Sequence, residues 1–315
     1  KGGKSMKKFA ALLCVIMIFT GCSAGYIKES TGDAISPVQE STDSLTSSPM
    51  PLYFRYYTEP MLVRCSMNID VSPQQIPEYF AVSALISGVP GERREAKQCF
   101  GKNTTLVSVS AGKDVLYVTL SDGFLTDTKA ETDEKTRENR RIALYSIVNT
   151  VCEMGNFSGV QFYICNVKTS LRSRPDSFEM GLVDSEAQST TLGAVTRNTS
   201  LILTPPNVAK QALTHYSNTD WEKLYWYLGS DDTLPLQEEM AEKFNYLNLV
   251  MSEFSVEDNY TVSESGKRAM VQVSFKIRSE SKAYSVTNIP LELIYKNGGW
   301  LVDYSGFIRY LGVEN

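Results

Sequence analysis

The spacing of apolar residues is most legible between residues 104 and 165. Leu106-Val107-Ser108-Val109 reads as a strand. The turn Ala111-Gly112-Lys113-Asp114 leads into a second strand, Val115-Leu116-Tyr117-Val118-Thr119-Leu120, which Ser121-Asp122-Gly123-Phe124 closes. From about Glu131 to Met154 the period changes: Leu144, Ile147, Val148 and Val151 fall on one face of a helix. Gly155-Asn156 stops it, and Val160-Gln161-Phe162-Tyr163-Ile164 alternates as a third strand.

Upstream, the aromatic run from Leu52 to Tyr57 predicts a strand. Thr58-Glu59-Pro60 breaks it, and Met61-Leu62-Val63 predicts a hairpin arm. Pro77 suits the first turn of a helix over residues 78–87, because its missing N–H costs nothing there. Gly88-Val89-Pro90-Gly91 ends that helix, and a charged loop leads to the hairpin. The order is β-α-β-β-α-β, an α+β class in which helices cover one face of a sheet. Phe178-Glu179-Met180-Gly181 and residues 192–203 read as additional strands, and Arg172-Ser173-Arg174-Pro175 as a solvated turn. Thr204-Pro205-Pro206 closes a first domain over residues 52–206.

Residues 207–315 predict a second domain. A helix over 208–227 is kinked or split at Ser217-Asn218-Thr219-Asp220, and a second helix covers 236–247. Strands follow over 255–262, 269–277, 284–295 and 300–304. Ala269, Val271, Val273, Phe275 and Ile277 alternate with polar or flexible residues, so one face is core and the other wet. Asn297-Gly298-Gly299 is a strong hairpin turn. The expected architecture is helices packed on a curved antiparallel sheet.

The N-terminus has a different pattern. Met6-Lys7-Lys8 precedes an apolar run from Phe9 to Thr20, short for a membrane span of about 20 residues. This predicts a secretory signal peptide over residues 1–21. Its end, Phe19-Thr20-Gly21-Cys22, resembles a bacterial lipobox. That resemblance implies lipidation of Cys22, by palmitate-type chains, and a lipid anchor on the extracytoplasmic face of the cell membrane. Residues 22–51 are rich in Ser, Thr, Asp and Pro and predict a disordered linker with an end-to-end distance of roughly 30 Å.

A length of 315 residues and 42% hydrophobic content suit two modest domains. Net charge is −5, and removal of residues 1–21 takes four lysines and no acid, giving about −9. That balance argues against nucleic acid as a partner. Four cysteines remain in the body, Cys65, Cys99, Cys152 and Cys165, and they allow three pairings. None has the C-x-x-C spacing of a redox or zinc motif, and the simplest reading makes them buried small apolar residues.

Candidate chemistry is sparse. The chain has one histidine, His215, so two-histidine and three-histidine metal sites are excluded. A Ser-His-Asp or Cys-His arrangement would have to use it, and it sits mid-helix in a chain without G-x-S-x-G. There is no P-loop and no G-x-G-x-x-G. Asp231-Asp232 and Glu238-Glu239 are the densest acidic groups; near helix starts, acids stabilise the first turn. Trp221, Tyr225, Trp226 and Trp300 form an aromatic set that fills a core or lines a pocket. No catalytic, cofactor-binding or metal-binding residue is assigned, and Cys22 is the one modified site.

Four stretches carry a family resemblance: Ala84-Leu85-Ile86-Ser87-Gly88, Leu116-Tyr117-Val118-Thr119-Leu120-Ser121 with Phe124, Ile147-Val148-Asn149-Thr150-Val151, and Val160-Gln161-Phe162. Their order and spacing resemble the GerMN domain of bacterial sporulation and spore-germination lipoproteins, over about residues 52–167. The loop has Gly88-Val89-Pro90 where the family has Gly-Pro, and one such domain is present where some members carry two. The C-terminal element order resembles the cone-shaped nuclear transport factor 2-like, or cystatin-like, group. The resemblance implies a non-enzymatic, lipid-anchored envelope protein that binds envelope proteins or itself. The alternative expectation is an extracytoplasmic binder of a small molecule or cell-wall glycan through the C-terminal domain.

Overall fold

The computed structural model describes residues 45–88, 93–231, 234–279, 283–296 and 298–311. The segment read as a signal peptide, Cys22 and most of the linker lie outside the described residues.

Strand β1 (Thr46–Tyr56) and β2 (Leu62–Val71) form the predicted hairpin, with Phe54 opposite Val63. β1 begins six residues before the aromatic run, inside the stretch expected to be disordered. Pro49 and Pro51 conceal it in the sequence, yet the strand tolerates both. Tyr53 and Tyr57, of the same parity, donate their N–H groups away from β2, to Thr150 Oγ1 and to the carbonyl of Glu95. The prolines therefore lack N–H groups on the side where β2 needs none, and buried Met50 between them holds the register.

Helix α1 (Pro77–Ser87) starts at the predicted proline, and β3 (Ala96–Lys97) adds to the far side of β1. β4 (Leu106–Ala111) and β5 (Val115–Ser121) are the central hairpin. A short helix, α2 (Gly123–Asp127), follows where a closing turn was expected. Helix α3 (Asp133–Met154) is capped by Thr132 Oγ1, which accepts from Lys135 N–H at 3.2 Å, and ends on left-handed Gly155. β6 (Gly159–Cys165) then pairs parallel to β5, Val118 opposite Phe162. The strands divide between two sheets, β2-β1-β3 and β4-β5-β6 with the short β7 (Arg172–Ser173), where one had been expected. α3 packs against β1 of the first and β6 of the second, and Ser146 Oγ donates to the Tyr53 carbonyl at 2.6 Å. Both neighbours need its apolar residues, which is why the buried stripe is broad.

The region to residue 204 departs further from expectation. Arg172–Ser173, read as a turn, is β7, paired with Ile164 and Cys165. Residues 178–181 form a turn, and 192–203 contain only β8 (Val195–Thr196) and a single 3-10 turn. Polar side chains, not a ladder, hold this region; Asp176 Oδ1, for example, caps Phe178 and Glu179 N–H.

The helix expected over 208–227 is split where Ser217-Asn218-Thr219-Asp220 predicts, into α4 (Pro205–Ser217) and α5 (Trp221–Trp226). Left-handed Thr219 makes the break, and Asp220 caps α5 by accepting from Lys223 N–H. After β9 (Leu228–Gly229) comes α6 (Gln237–Leu247). The sheet β10 (Val250–Val262), β11 (Arg268–Arg278), β12 (Ala283–Lys296) and β13 (Gly299–Asp303) is antiparallel, with β9 joining β13 in parallel. Register shifts between Met251 and Glu253, Val256 and Tyr260, and Val273 and Phe275 bend it around α4, which packs across β10 to β13. The alternating set Ala269 to Ile277 is buried as the pattern requires. The last strand stops at Asp303, whose carboxylate accepts from Gly306 N–H and starts α7 (Tyr304–Tyr310). Residues from Leu45 onward belong to one compact unit, and a continuous apolar core runs through both halves. Among the described residues, no helix is long and apolar enough to cross a membrane.

Candidate functional site

The polar and aromatic side chains that stand out meet where the β1–β2 hairpin touches the C-terminal half. The four aromatics singled out in the sequence separate there. Trp221 turns into the core: its Nε1 donates to Asn245 Oδ1 at 2.7 Å, and its ring packs on Tyr216 and Phe244. Trp226 instead stacks on Tyr57 of the hairpin, centroids 4.5 Å apart and planes at 14°. The Tyr56 hydroxyl donates to the Trp226 carbonyl. Tyr225, Trp226 and Trp300 line, with Tyr56 and Tyr57, a hollow of about 200 Å³ whose charged walls are Glu95 and Lys296.

Behind this hollow lies a buried charged group. The β1–β2 turn places Glu59, and α4 places His215, so that Oε2 and Nε2 stand 2.9 Å apart. His215 is 6% exposed. Lys223 Nζ lies 3.4 Å from the other Glu59 oxygen, and the Tyr227 hydroxyl donates to Oε2 at 3.5 Å. Arg55 fixes the turn itself through the carbonyls of Thr58 and Glu59. Burial alone would raise the Glu59 pKa, but the hydrogen bond and charge of His215, with Lys223, outweigh it and hold the carboxyl below its ordinary value. His215 is thus buried and bonded to an acid from the other half of the chain. Glu59 looked like an ordinary turn residue; 156 positions separate it from His215, and no local spacing marks the pair.

A second constellation was equally invisible in the sequence. Glu153, in the last turn of α3, accepts from Arg64 Nε at 2.6 Å and from Arg197 Nη2 at 2.7 Å. The Tyr53 hydroxyl donates to the same carboxylate. Burial pushes the Glu153 pKa up, and Tyr53, Arg64 and Arg197 together bring it below normal. This group borders a hollow of about 280 Å³ that also meets Tyr260, Tyr295 and Trp300.

The remaining candidates resolve locally. Glu239 accepts from Leu236 N–H at 3.1 Å, the expected helix-start role, and Asp231 pairs with Arg268. Asp232 lies outside the described residues. Cys65, Cys99, Cys152 and Cys165 are all unpaired thiols, and burial pushes Cys99 up to about 11. Among the described residues, no group of three or more His, Cys, Asp and Glu fits a metal ion. Asn149 is fully buried in α3, and its amide clamps the Asn198 backbone: Oδ1 accepts the N–H at 2.9 Å and Nδ2 donates to the carbonyl at 3.1 Å. Asn149→Ala leaves both groups without that partner and is expected to cost about 2 kcal/mol. The readout is a lower urea midpoint at unchanged slope; a midpoint equal to wild type would show that the clamp contributes nothing.

Residues 51–168, from within β1 to just past β6, match the family described as Germane: Sporulation and spore germination. The match is to this segment, less than half of the chain. The tandem GerMN domains of the sporulation protein GerM from Bacillus subtilis are 15% identical, with a TM-score of 0.34, over 51% of this chain and 51% of that one. The present chain therefore spans about half the length of that structure. An NTF2-like protein from Cytophaga hutchinsonii is 17% identical over 30% of this chain and 87% of its own, TM-score 0.22. The intermembrane space region of the chloroplast protein ARC6 gives 18%, 32%, 93% and 0.22 in the same order. No curated protein matches the sequence.

Proposed function

We propose that this is a non-enzymatic lipoprotein, anchored through Cys22 to the extracytoplasmic face of the cell membrane, that serves as an interaction and assembly component in sporulation or spore germination. The Germane match over residues 51–168 carries the reading. Three further features support it. The Phe19-Thr20-Gly21-Cys22 sequence is followed by a polar segment long enough to hold a folded body off a bilayer. His215, the one histidine, is buried and bonded to Glu59. The Germane part has an edge strand, β4, unpaired on its outer side among the described residues, with Val107 on it and Tyr117 on β5 exposed, and unpaired edges are natural pairing surfaces.

The test is in-cell crosslinking from a photoreactive residue at Tyr117, in wild-type and Cys22→Ala backgrounds. The expected result is an adduct to a membrane-associated protein or to a second copy, lost when Cys22 is replaced. A protein that gives no adduct through sporulation and germination contradicts the assembly role.

A further inference from the structure

The two hollows at the junction share Val63, Leu203, Gly299 and Trp300 as wall residues, and the one beside Glu153 forms a groove. That groove holds about 280 Å³, close to the lower end of the roughly 300–1,000 Å³ of small-ligand sites. Nothing in the assembly role above requires such a groove.

Its chemistry is specific. The chain is acidic overall, at −5, yet Arg64 and Arg197 converge on a single carboxylate, Glu153, leaving a local positive excess. Arg93 adds a third cation close to Gly298, at the lip. Among the described residues, the bonds to Glu153 and Tyr53 use Nε of Arg64 and Nη2 of Arg197. The side chains are 44% and 38% exposed, so the remaining guanidinium N–H groups are available to a ligand. Glu153 thus acts as a positioning group that holds two arginines in place, and fixed guanidiniums suit carboxylate or phosphate oxygens. On the same wall stand Tyr260 and Tyr295, 45% and 42% exposed, with Trp300 5.1 Å from Tyr295 between ring centroids. Aromatic faces carry negative quadrupole charge, which attracts the weakly positive axial C–H groups of a pyranose ring.

We propose that this groove binds an anionic glycan, its sugar rings laid against Tyr260, Tyr295 and Trp300 and its negative groups held by Arg64 and Arg197. The choice of a glycan of the cell wall over other anions rests on the extracytoplasmic placement proposed above. Nucleic acid is disfavoured by the charge of the chain as a whole. Two wall sources share the chemistry: muramyl chains with peptide carboxylates, and polyols linked by phosphodiesters.

The experiment is calorimetric titration of the purified protein, which reports on the groove whether or not the protein reaches a membrane. Three probes are used: a muramyl tetrasaccharide carrying free peptide carboxylates, a glycerol-phosphate oligomer, and uncharged chitotetraose. One of the anionic probes is expected to bind, at least about tenfold more tightly than chitotetraose and more weakly as salt is raised. Whichever anionic probe binds names the source. Arg64→Gln and Tyr295→Ala are each expected to weaken binding about tenfold, equivalent to about 1.4 kcal/mol. Both positions are exposed enough for the fold to survive, which an unchanged melting temperature checks. The proposal is overturned if neither anionic probe binds, if chitotetraose binds equally well, or if both folded variants bind like wild type.

Discussion

Glu59→Ala is expected to destabilise the protein by about 3 kcal/mol. The carboxylate is buried in the β1–β2 turn and sits between His215 and Lys223. Removing it leaves a buried imidazole without its acceptor, Lys223 beside only Asp220, and the Tyr227 hydroxyl facing a void. Breaking one side of a buried ionic contact costs more than the contact contributes, because the surviving partner stays desolvated. Glu59→Gln retains a polar atom for His215 and is expected to cost less. The pair also predicts a pH dependence. The Glu59 pKa is lower in the folded state than its ordinary 4.5, and that of Glu153 is lowered in the same direction. Each carboxylate therefore contributes stability that is fully present above pH 4.5 and is lost as pH falls through the folded value. Urea midpoints should hold near neutrality and drop below pH 4.5, with a shallower drop in Glu59→Gln. A profile for Glu59→Gln that superimposes on wild type would remove Glu59 from the account.

Phe162→Ala is expected to cost about 4 kcal/mol. Phe162 is fully buried on β6, paired in register with Val118 of β5, in the same cluster as Leu144 and Val148 of α3. The alanine leaves a phenyl-sized gap among residues held by two ladders and a long helix, so the site has little freedom to collapse. Tyr163, the next residue, points to the other face and is only partly buried. Tyr163→Ala should cost under about 1 kcal/mol. Denaturant unfolding of the two variants checks both; comparable losses would mean that the side-chain alternation assigned to β6 is wrong.

These cases mark what the sequence shows and what it hides. β11 was legible because it buries alternate residues and so writes its period into the chain, while β5, α3 and β6 were legible from their apolar runs although they are buried on more than one face. β1 was half legible: Leu52 to Tyr57 announced a strand, but Pro49 and Pro51 hid its start. They are compatible with the strand only because that side of β1 has no partner there. The division of the helix over 208–227 was legible in the polar stretch Ser217-Asn218-Thr219-Asp220, and left-handed Thr219 with the cap by Asp220 makes it. The candidate site was hardest. Trp226 and Trp300 were visible as aromatics, but whether they filled the core or faced a groove depended on the hairpin residue Tyr57. Glu59 with His215, and Arg64 and Arg197 with Glu153, are contacts between residues far apart in the chain. Such pairs leave no periodic trace, because a single charged residue in a turn or at a helix end reads as solvated whatever it meets.

The most direct test of the proposed role is deletion of the gene in the organism that encodes it, scoring spore yield and germination rate separately. Complementation uses wild type and Cys22→Ala. The account predicts that one of the two steps fails, that wild type restores it, and that Cys22→Ala does not. Normal sporulation and normal germination in the deletion strain would contradict it.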